Sequence, residues 1–250
     1  MKKDPLKQYS LDVVKRARSY ANNKKLQQTG KAFHNELVKA NYSYNFFWLG
    51  VPIIQEPQGI QAMQEIIWEV KPDLIIETGI ALGGSIIFSA SMLALLETCG
   101  KIKKGDVIGI DIDIRKHNKK AILANPLSKK ITMLEGSSTD EPIIKKVTKI
   151  VKNKKRVLVC LDSNHTHAHV LAELKIYAPM VSVGSYCIVE DTGIEDCIDE
   201  KTNRPWGKGN NPKTAVWEFL KTNKNFKIDK TIESKIILTG SPDGYLKRIK

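Results

Sequence analysis

The chain has 250 residues, 42% of them hydrophobic and 27% charged, and a formal net charge of +13. This length buries one full core, and the composition is that of a soluble globular protein, so a single α/β domain with decorations is the simplest expectation. No run of 18 apolar residues is present and Met1-Lys2-Lys3-Asp4-Pro5 has no apolar core behind it, so neither a membrane span nor a secretory signal is expected.

The positive charge raises the question of nucleic acid. Its lysines lie in short clusters such as Lys101-Ile102-Lys103-Lys104 and Lys152-Asn153-Lys154-Lys155-Arg156, within predicted loops, and no nucleic-acid module accompanies them. A solvated basic surface that gathers an anionic small substrate is the preferred reading. Cys99, Cys160, Cys187 and Cys197 show no C-x-x-C spacing and read as reduced thiols, which points to a cytoplasmic protein.

Residues 1–50 form a polar, basic extension with a helix expected over Leu11–Ala21 and an aromatic cluster at Tyr42, Tyr44, Phe46, Phe47 and Trp48. The cluster packs onto the body or a second subunit, or serves as a lid. A helix with apolar positions Ile60, Met63, Ile66, Ile67 and Val70 follows, stopped by Pro72.

From Asp73 onward strands and helices alternate, which predicts a mostly parallel sheet covered on both faces. Strands are expected at Leu74–Glu77, Val107–Asp111, Ile131–Leu134, Val157–Leu161 and Tyr186–Val189, with helices including Ser85–Glu97 and Asp140–Val151. Ligands of such sheets bind beyond the carboxyl ends of the strands.

The first of those ends reads Glu77-Thr78-Gly79-Ile80-Ala81-Leu82-Gly83-Gly84-Ser85. Glycine lets the backbone approach a ligand and Ser85 can cap the new helix. The spacing matches neither a phosphate loop nor a dinucleotide fingerprint. An acid beside the loop disfavours pyrophosphate and favours a ligand with ammonium and sulfonium groups, such as S-adenosylmethionine; an ordinary strand-to-helix turn is the plain alternative. Asp111, with Asp113 nearby, ends the second strand, where an acid can accept both ribose hydroxyls of an adenosine or cap a helix. After the third strand, Ser137 and Ser138 can meet the adenine edge or cap the next helix.

Two further strands run apolar into acids, at Leu161-Asp162 and at Val189-Glu190-Asp191. If they are neighbours about 4.8 Å apart, Asp162, Glu190 and Asp191 converge at one sheet edge and need a counter-charge. Hard oxygen ligands with room for water and a substrate hydroxyl describe magnesium better than zinc. A zinc site at His165, His167 and His169 is disfavoured, because on the helix expected there the three point in different directions. His165 is the one placed as a proton acceptor. Residues 192–212 read as a lid-like loop or a disordered segment. A short helix over Thr214–Lys221 follows, then strands at Phe226–Asp229 and Ile236–Thr239, and a turn at Pro242-Asp243-Gly244-Tyr245.

The series Gly50-Val51-Pro52-Ile53-Ile54-Gln55, Glu77-Thr78-Gly79 with Gly83-Gly84-Ser85, Gly136-Ser137-Ser138, Leu161-Asp162-Ser163 with His165, Gly184-Ser185-Tyr186 with Glu190-Asp191-Thr192, and Gly244-Tyr245-Leu246 resembles the cephalosporin hydroxylase family from about Trp48 to the end. Despite that name, its members resemble class I S-adenosylmethionine-dependent methyltransferases, including rhamnosyl O-methyltransferases, and their layout is similar to that of metal-dependent catechol-type enzymes. The resemblance implies a Rossmann-like seven-stranded sheet over 51–250. It implies a methyl donor at Glu77, Gly79, Ser85, Asp111 and Ser138, bordered by Ala81, Gly83, Ser137 and Asp162, and magnesium at Asp162, Glu190 and Asp191.

The expected function is magnesium-assisted O-methylation of a sugar, nucleotide-sugar or glycoside hydroxyl, with Asp162 and His165 as the catalytic residues. An RNA-directed or metal-independent methyltransferase is the alternative, and a non-catalytic S-adenosylmethionine-binding or scaffold protein a second. The expected partners are a small-molecule or carbohydrate acceptor, phosphate-bearing in one reading, and further copies of the chain in a homo-oligomer, with no membrane and no nucleic acid.

Overall fold

The protein is described by a computed structural model, covering residues 4–197 and 203–250. A seven-stranded sheet forms its centre. In chain order its strands are β3 (Leu74–Thr78), β4 (Asp106–Asp111), β5 (Ile131–Glu135), β6 (Val157–Leu161), β7 (Tyr186–Val189), β8 (Phe226–Ile228) and β9 (Tyr245–Arg248). Across the sheet they run β5-β4-β3-β6-β7-β9-β8, with β9 antiparallel to both neighbours. The middle strands β3 and β6 are buried along their whole length, as two-sided coverage requires of apolar runs such as Leu-Ile-Ile and Val-Leu-Val-Cys-Leu.

Strand order reverses between β3 and β6, so their carboxyl ends border an open crevice. Helix α4 (Gly84–Thr98) leaves β3 over that crevice; ten of its fifteen residues are buried, consistent with a helix apolar on every side. The other covering helices are α3 (Pro57–Val70), α5 (Lys116–Ala124), α6 (Glu141–Val151), α7 (His167–Tyr177) and α8 (Pro212–Thr222). Their starts follow from local chemistry: Pro57 pre-sets the first turn of α3, and Asn211 and Thr214 close a capping box on α8.

The extension holds two helices rather than one, α1 (Pro5–Asn22) and α2 (Lys24–Lys39). Asp4 caps the first, and Asn23 ends it while capping the second. Part of the aromatic cluster becomes a hairpin of β1 (Phe46–Trp48) and β2 (Val51–Ile53), and Trp48 docks on α4, its Nε1 donating to Ser91 Oγ at 3.0 Å.

The expected final strand at Ile236–Thr239 is not one. Asp229 accepts from the Thr231 N–H and starts a short helix, α9 (Lys230–Ile236). Ile237 then takes a left-handed φ of 63° and packs against Gly30 of α2, while Tyr245–Arg248, whose first residue the sequence reading placed in the turn at 242–245, supplies the strand between β7 and β8. A short apolar run carries no signal that separates these outcomes. Of the loop at 192–212, residues 198–202 lie outside the described residues; a 3-10 turn at Thr192–Glu195 and a tight turn bridged by Gly207 and Asn210 lie at its two sides. No described helix is long and apolar enough to cross a membrane.

Candidate active site

The loop after β3 comes so close to the end of β6 that only glycine fits at its start. Gly79 has φ 89°, and a Cβ there would overlap the carbonyl oxygen of Asp162 on the neighbouring strand. A non-glycine residue at that point would push the two crevice walls apart. Gly83, not Ser85, is the N-cap of α4. Ser85 Oγ instead donates to Glu77, because the carboxylate at the strand end lies beneath the first helical turn.

Asp111 braces the same loop: its Oδ2 accepts from the Ile80 and Ala81 N–H groups at 2.8 and 3.2 Å, and its Oδ1 from Asp113 N–H at 3.1 Å. The carboxylate placed by sequence at a ribose is thus largely committed to its own backbone. Ser138 is buried, its Oγ 3.2 Å from His169 Nε2, whereas Ser137 Oγ meets Thr139; neither side chain caps α6, whose N-cap is Asp140.

Below the loop lies a cavity of about 30 Å³ lined by Gln55, Glu77, Ser85, Ser89, Asp162, Glu190 and apolar side chains of α3 and α4. A space of this size holds a water or two, in a mainly apolar lining that the polar groups of Glu77, Ser85, Asp162 and Glu190 interrupt. The buried Ser89 hydroxyl, which faces it, has no partner among the described residues. Burial pushes Glu77 up to about 8, against the Ser85 hydrogen bond, and Glu190 adds to the rise.

Parallel pairing of β6 with β7 places Asp162 beside Glu190, whose N–H donates to Leu161 O at 3.0 Å. Ligand atoms of Asp162, His165 and Asp191 all lie within 4.8 Å of one another, and His165 Nε2 is 3.1 Å from Asp191 Oδ2. Glu190 shares this strand end but turns one oxygen toward Ser241, which donates to it, and it also borders the cavity. Burial holds Asp162 well above the usual carboxylate range, reinforced by Asp191, Glu190, Glu77 and Glu173. Burial and Asp191 likewise push Glu190 upward, opposed by the Ser241 hydrogen bond.

Among the described residues no lysine or arginine pairs with Glu77, Asp162 or Glu190, and none donates to the Asp162 carboxylate. The cluster is therefore short of positive charge. Two convergent carboxylates with a third beside them form an oxygen donor set that fits a divalent cation of the magnesium or manganese kind, with the His165 imidazole at its edge.

The three histidines part company because α7 begins only at His167. His165 lies in the loop before it, His167 bonds to Thr214 and sits near Glu218 on α8, and His169 meets Ser138 and Ser163. Sequence reasoning missed Glu173, which is fully buried and accepts from Ser163 Oγ at 2.7 Å while its second oxygen has no partner among the described residues. An acid within the apolar face of Val170, Leu174 and Tyr177 was the available signal. Trp206 lies in the loop read as lid-like, but its edge-to-face contact with the His165 ring, 4.8 Å between centroids, was not foreseen.

The sheet order, the glycine crevice and the acidic strand ends together define a Rossmann-like methyltransferase fold. The chain belongs to the family described as Rhamnosyl O-methyltransferase/CmcI, whose profile matches residues 40–249. It is similar to a rhamnosyl O-methyltransferase of Mycobacterium tuberculosis, 29% identical over 221 residues that span 87% of this chain and 82% of that protein. A structure of CmcI with Mg and SAM superposes with TM-score 0.58 at 19% identity, covering 83% of this chain and 78% of that one. A TDP-rhamnose 3'-O-methyltransferase of calicheamicin biosynthesis superposes with TM-score 0.52 at 13% identity, covering 91% and 94%.

Proposed function

We propose that the protein is an S-adenosylmethionine-dependent, divalent-cation-assisted O-methyltransferase acting on a hydroxyl of a sugar, nucleotide-sugar or glycoside. The observation that carries this reading is the meeting, at one switch point of the sheet, of a glycine crevice with an acidic cluster that no described lysine or arginine neutralises. Membership of a family described by rhamnosyl O-methylation supports the acceptor class.

Glu77, Ser85 and Ser89 would receive the polar end of the donor, and Asp162, Asp191 and Glu190 would hold the cation. When bound, the donor supplies an electrophilic methyl group and the cation lowers the pKa of an acceptor hydroxyl. Asp191, with Oδ2 3.1 Å from His165 Nε2, would favour the imidazolium formed when His165 takes the hydroxyl proton. Gly79 keeps the crevice walls in contact, so the side chains that would hold donor and cation project from a closely apposed backbone. Trp206, packed on His165, shields that imidazole from bulk water. The basic surface favours an acceptor with a phosphate group, and the free cysteines fit a reducing, cytoplasmic setting. We assign the helical extension to contacts with further copies of the chain.

The test is a mass-spectrometric assay with labelled methyl donor and a panel of nucleotide-sugars, sugar phosphates and neutral glycosides, with and without magnesium. Methylation of a sugar hydroxyl that stops on chelation is the expected result. Full activity after chelation contradicts the metal role, and transfer to RNA alone contradicts the acceptor class.

A further inference from the structure

Lys213 is the one lysine among the described residues that folding buries, with 7% of its surface exposed. It stands in the first turn of α8, at the positive end of the helix dipole, which disfavours another cation. Two carboxylates keep it there. Its Nζ donates to Asp196 and lies 4.0 Å from Asp243 Oδ2, with the Trp217 ring 5.6 Å away.

The two acids belong to different turns. Asp196 closes the turn after β7 that begins at the Glu190–Asp191 pair, and Asp243 sits in the turn before β9. These turns are stitched together: Gly193 N–H donates to Gly240 O at 2.8 Å, Thr192 Oγ1 to Pro242 O at 2.6 Å, and Ser241 Oγ to Glu190. Each also contains a non-glycine residue in the left-handed region, Asp191 at φ 56° and Asp243 at φ 68°. Such conformations persist only where the surroundings over-determine them. Lys31 and Lys230 bind the same two acids, but their side chains are 57% and 59% exposed and water screens them; the Lys213 side chain is 9% exposed.

We propose that Lys213 is a positioning residue for the divalent-cation centre: by bridging Asp196 and Asp243 it locks both turns and so fixes Glu190 and Asp191 beside Asp162. Lys213 touches neither of the cation-facing acids at the strand end, and it acts only through the turns. The inference rests on the cation reading given above.

The full chain is tested as Lys213→Met, Lys213→Arg and Asp196→Asn. Three measurements are made on each: hydrogen exchange of amides in 190–197 and 240–244, Mn²⁺ affinity by electron paramagnetic resonance titration, and S-adenosylmethionine affinity by calorimetry. In Lys213→Met, exchange in the two turns rises about tenfold or more while β3 and β4 keep their protection. The Mn²⁺ Kd rises about 10- to 100-fold, the range seen when groups supporting metal ligands are removed, and donor affinity stays within about twofold. Lys213→Arg restores most of both effects and Asp196→Asn falls between; these two carry the test if the methionine variant does not fold.

Wild-type exchange in both turns, or accelerated exchange with wild-type Mn²⁺ affinity, overturns the proposal. A uniform loss of donor affinity and of protection throughout the sheet also overturns it, since that marks a general stabiliser. If the unaltered protein binds no Mn²⁺, the cation reading is what fails, and turn exchange alone then decides whether Lys213 holds Glu190 and Asp191.

Discussion

The two walls of the crevice between β3 and β6 are built by different physics. The donor-side wall is local in sequence: Leu74–Ser85 supplies its strand, its turn, the acid beneath it and the first turn of α4, and steric fit at Gly79 sets its shape. The cation-side wall is assembled from distant pieces. Asp162 and His165 come from the end of β6, Glu190 and Asp191 from β7, and Lys213, Ser241 and Asp243 hold them from other elements. One wall is specified by backbone space and should fail on the smallest added atom. The other is specified by balanced charge and should respond to charge reversal, ionic ligands and pH.

The harshest way to test the steric half is Gly79→Ala, which introduces one methyl group against Asp162 O at a φ that disfavours side chains. Donor affinity should fall by about 100-fold or more, equivalent to about 3 kcal/mol, together with a lower Tm. A calorimetric Kd within a few fold of wild type would show that the loop does not need this contact.

Asp162→Asn probes the charge half and has effects of opposite sign. Turnover should drop on the order of 100-fold with loss of Mn²⁺ binding, while the ligand-free protein becomes more stable, because a buried and mutually repelled carboxylate has been neutralised. A variant that loses both activity and Tm would argue that Asp162 is structural. His165→Ala should reduce kcat by about 100-fold at near-constant donor Kd, the lower range for a general base. An unchanged kcat removes the imidazole from that role.

Glu77→Gln sharpens the boundary between the walls. A carboxyl raised from its ordinary 4.5 to about 8 binds more protons in the folded than in the unfolded state. Its contribution to stability is therefore largest below about pH 4.5 and is lost as pH rises toward 8, at up to about 1.4 kcal/mol per pH unit. The ligand-free variant should exceed wild type in Tm at pH 8 and converge with it near pH 4.5, while binding the donor more weakly. Parallel Tm profiles across this range would show that Glu77 is not held protonated.

The contrast also explains what could be read from the chain. The parallel sheet and the crevice were legible because apolar runs ending in Glu77, Asp111 and Asp162 mark strand ends, and the reversal of strand order places them together. Ser85 was placed as a cap because residue type suggests it, yet the nearer carboxylate of Glu77 takes the hydroxyl. The Ile236–Thr239 run misled because its length fits a strand, and the competing signal, Asp229 capping α9, is a side-chain choice. Lys213 gave no sign, and the lid-like loop gave no partner for Trp206, since the partners of both lie on other elements and pair with them only in the folded chain.

The most direct measurement is single-turnover methyl transfer from S-adenosylmethionine to a sugar hydroxyl, read by mass spectrometry with magnesium, with chelator, and with magnesium restored. The account predicts one methyl gained on the acceptor, loss of transfer in chelator and recovery on adding the cation back. Equal transfer in all three conditions, or donor binding with no hydroxyl methylated in any of them, would contradict it.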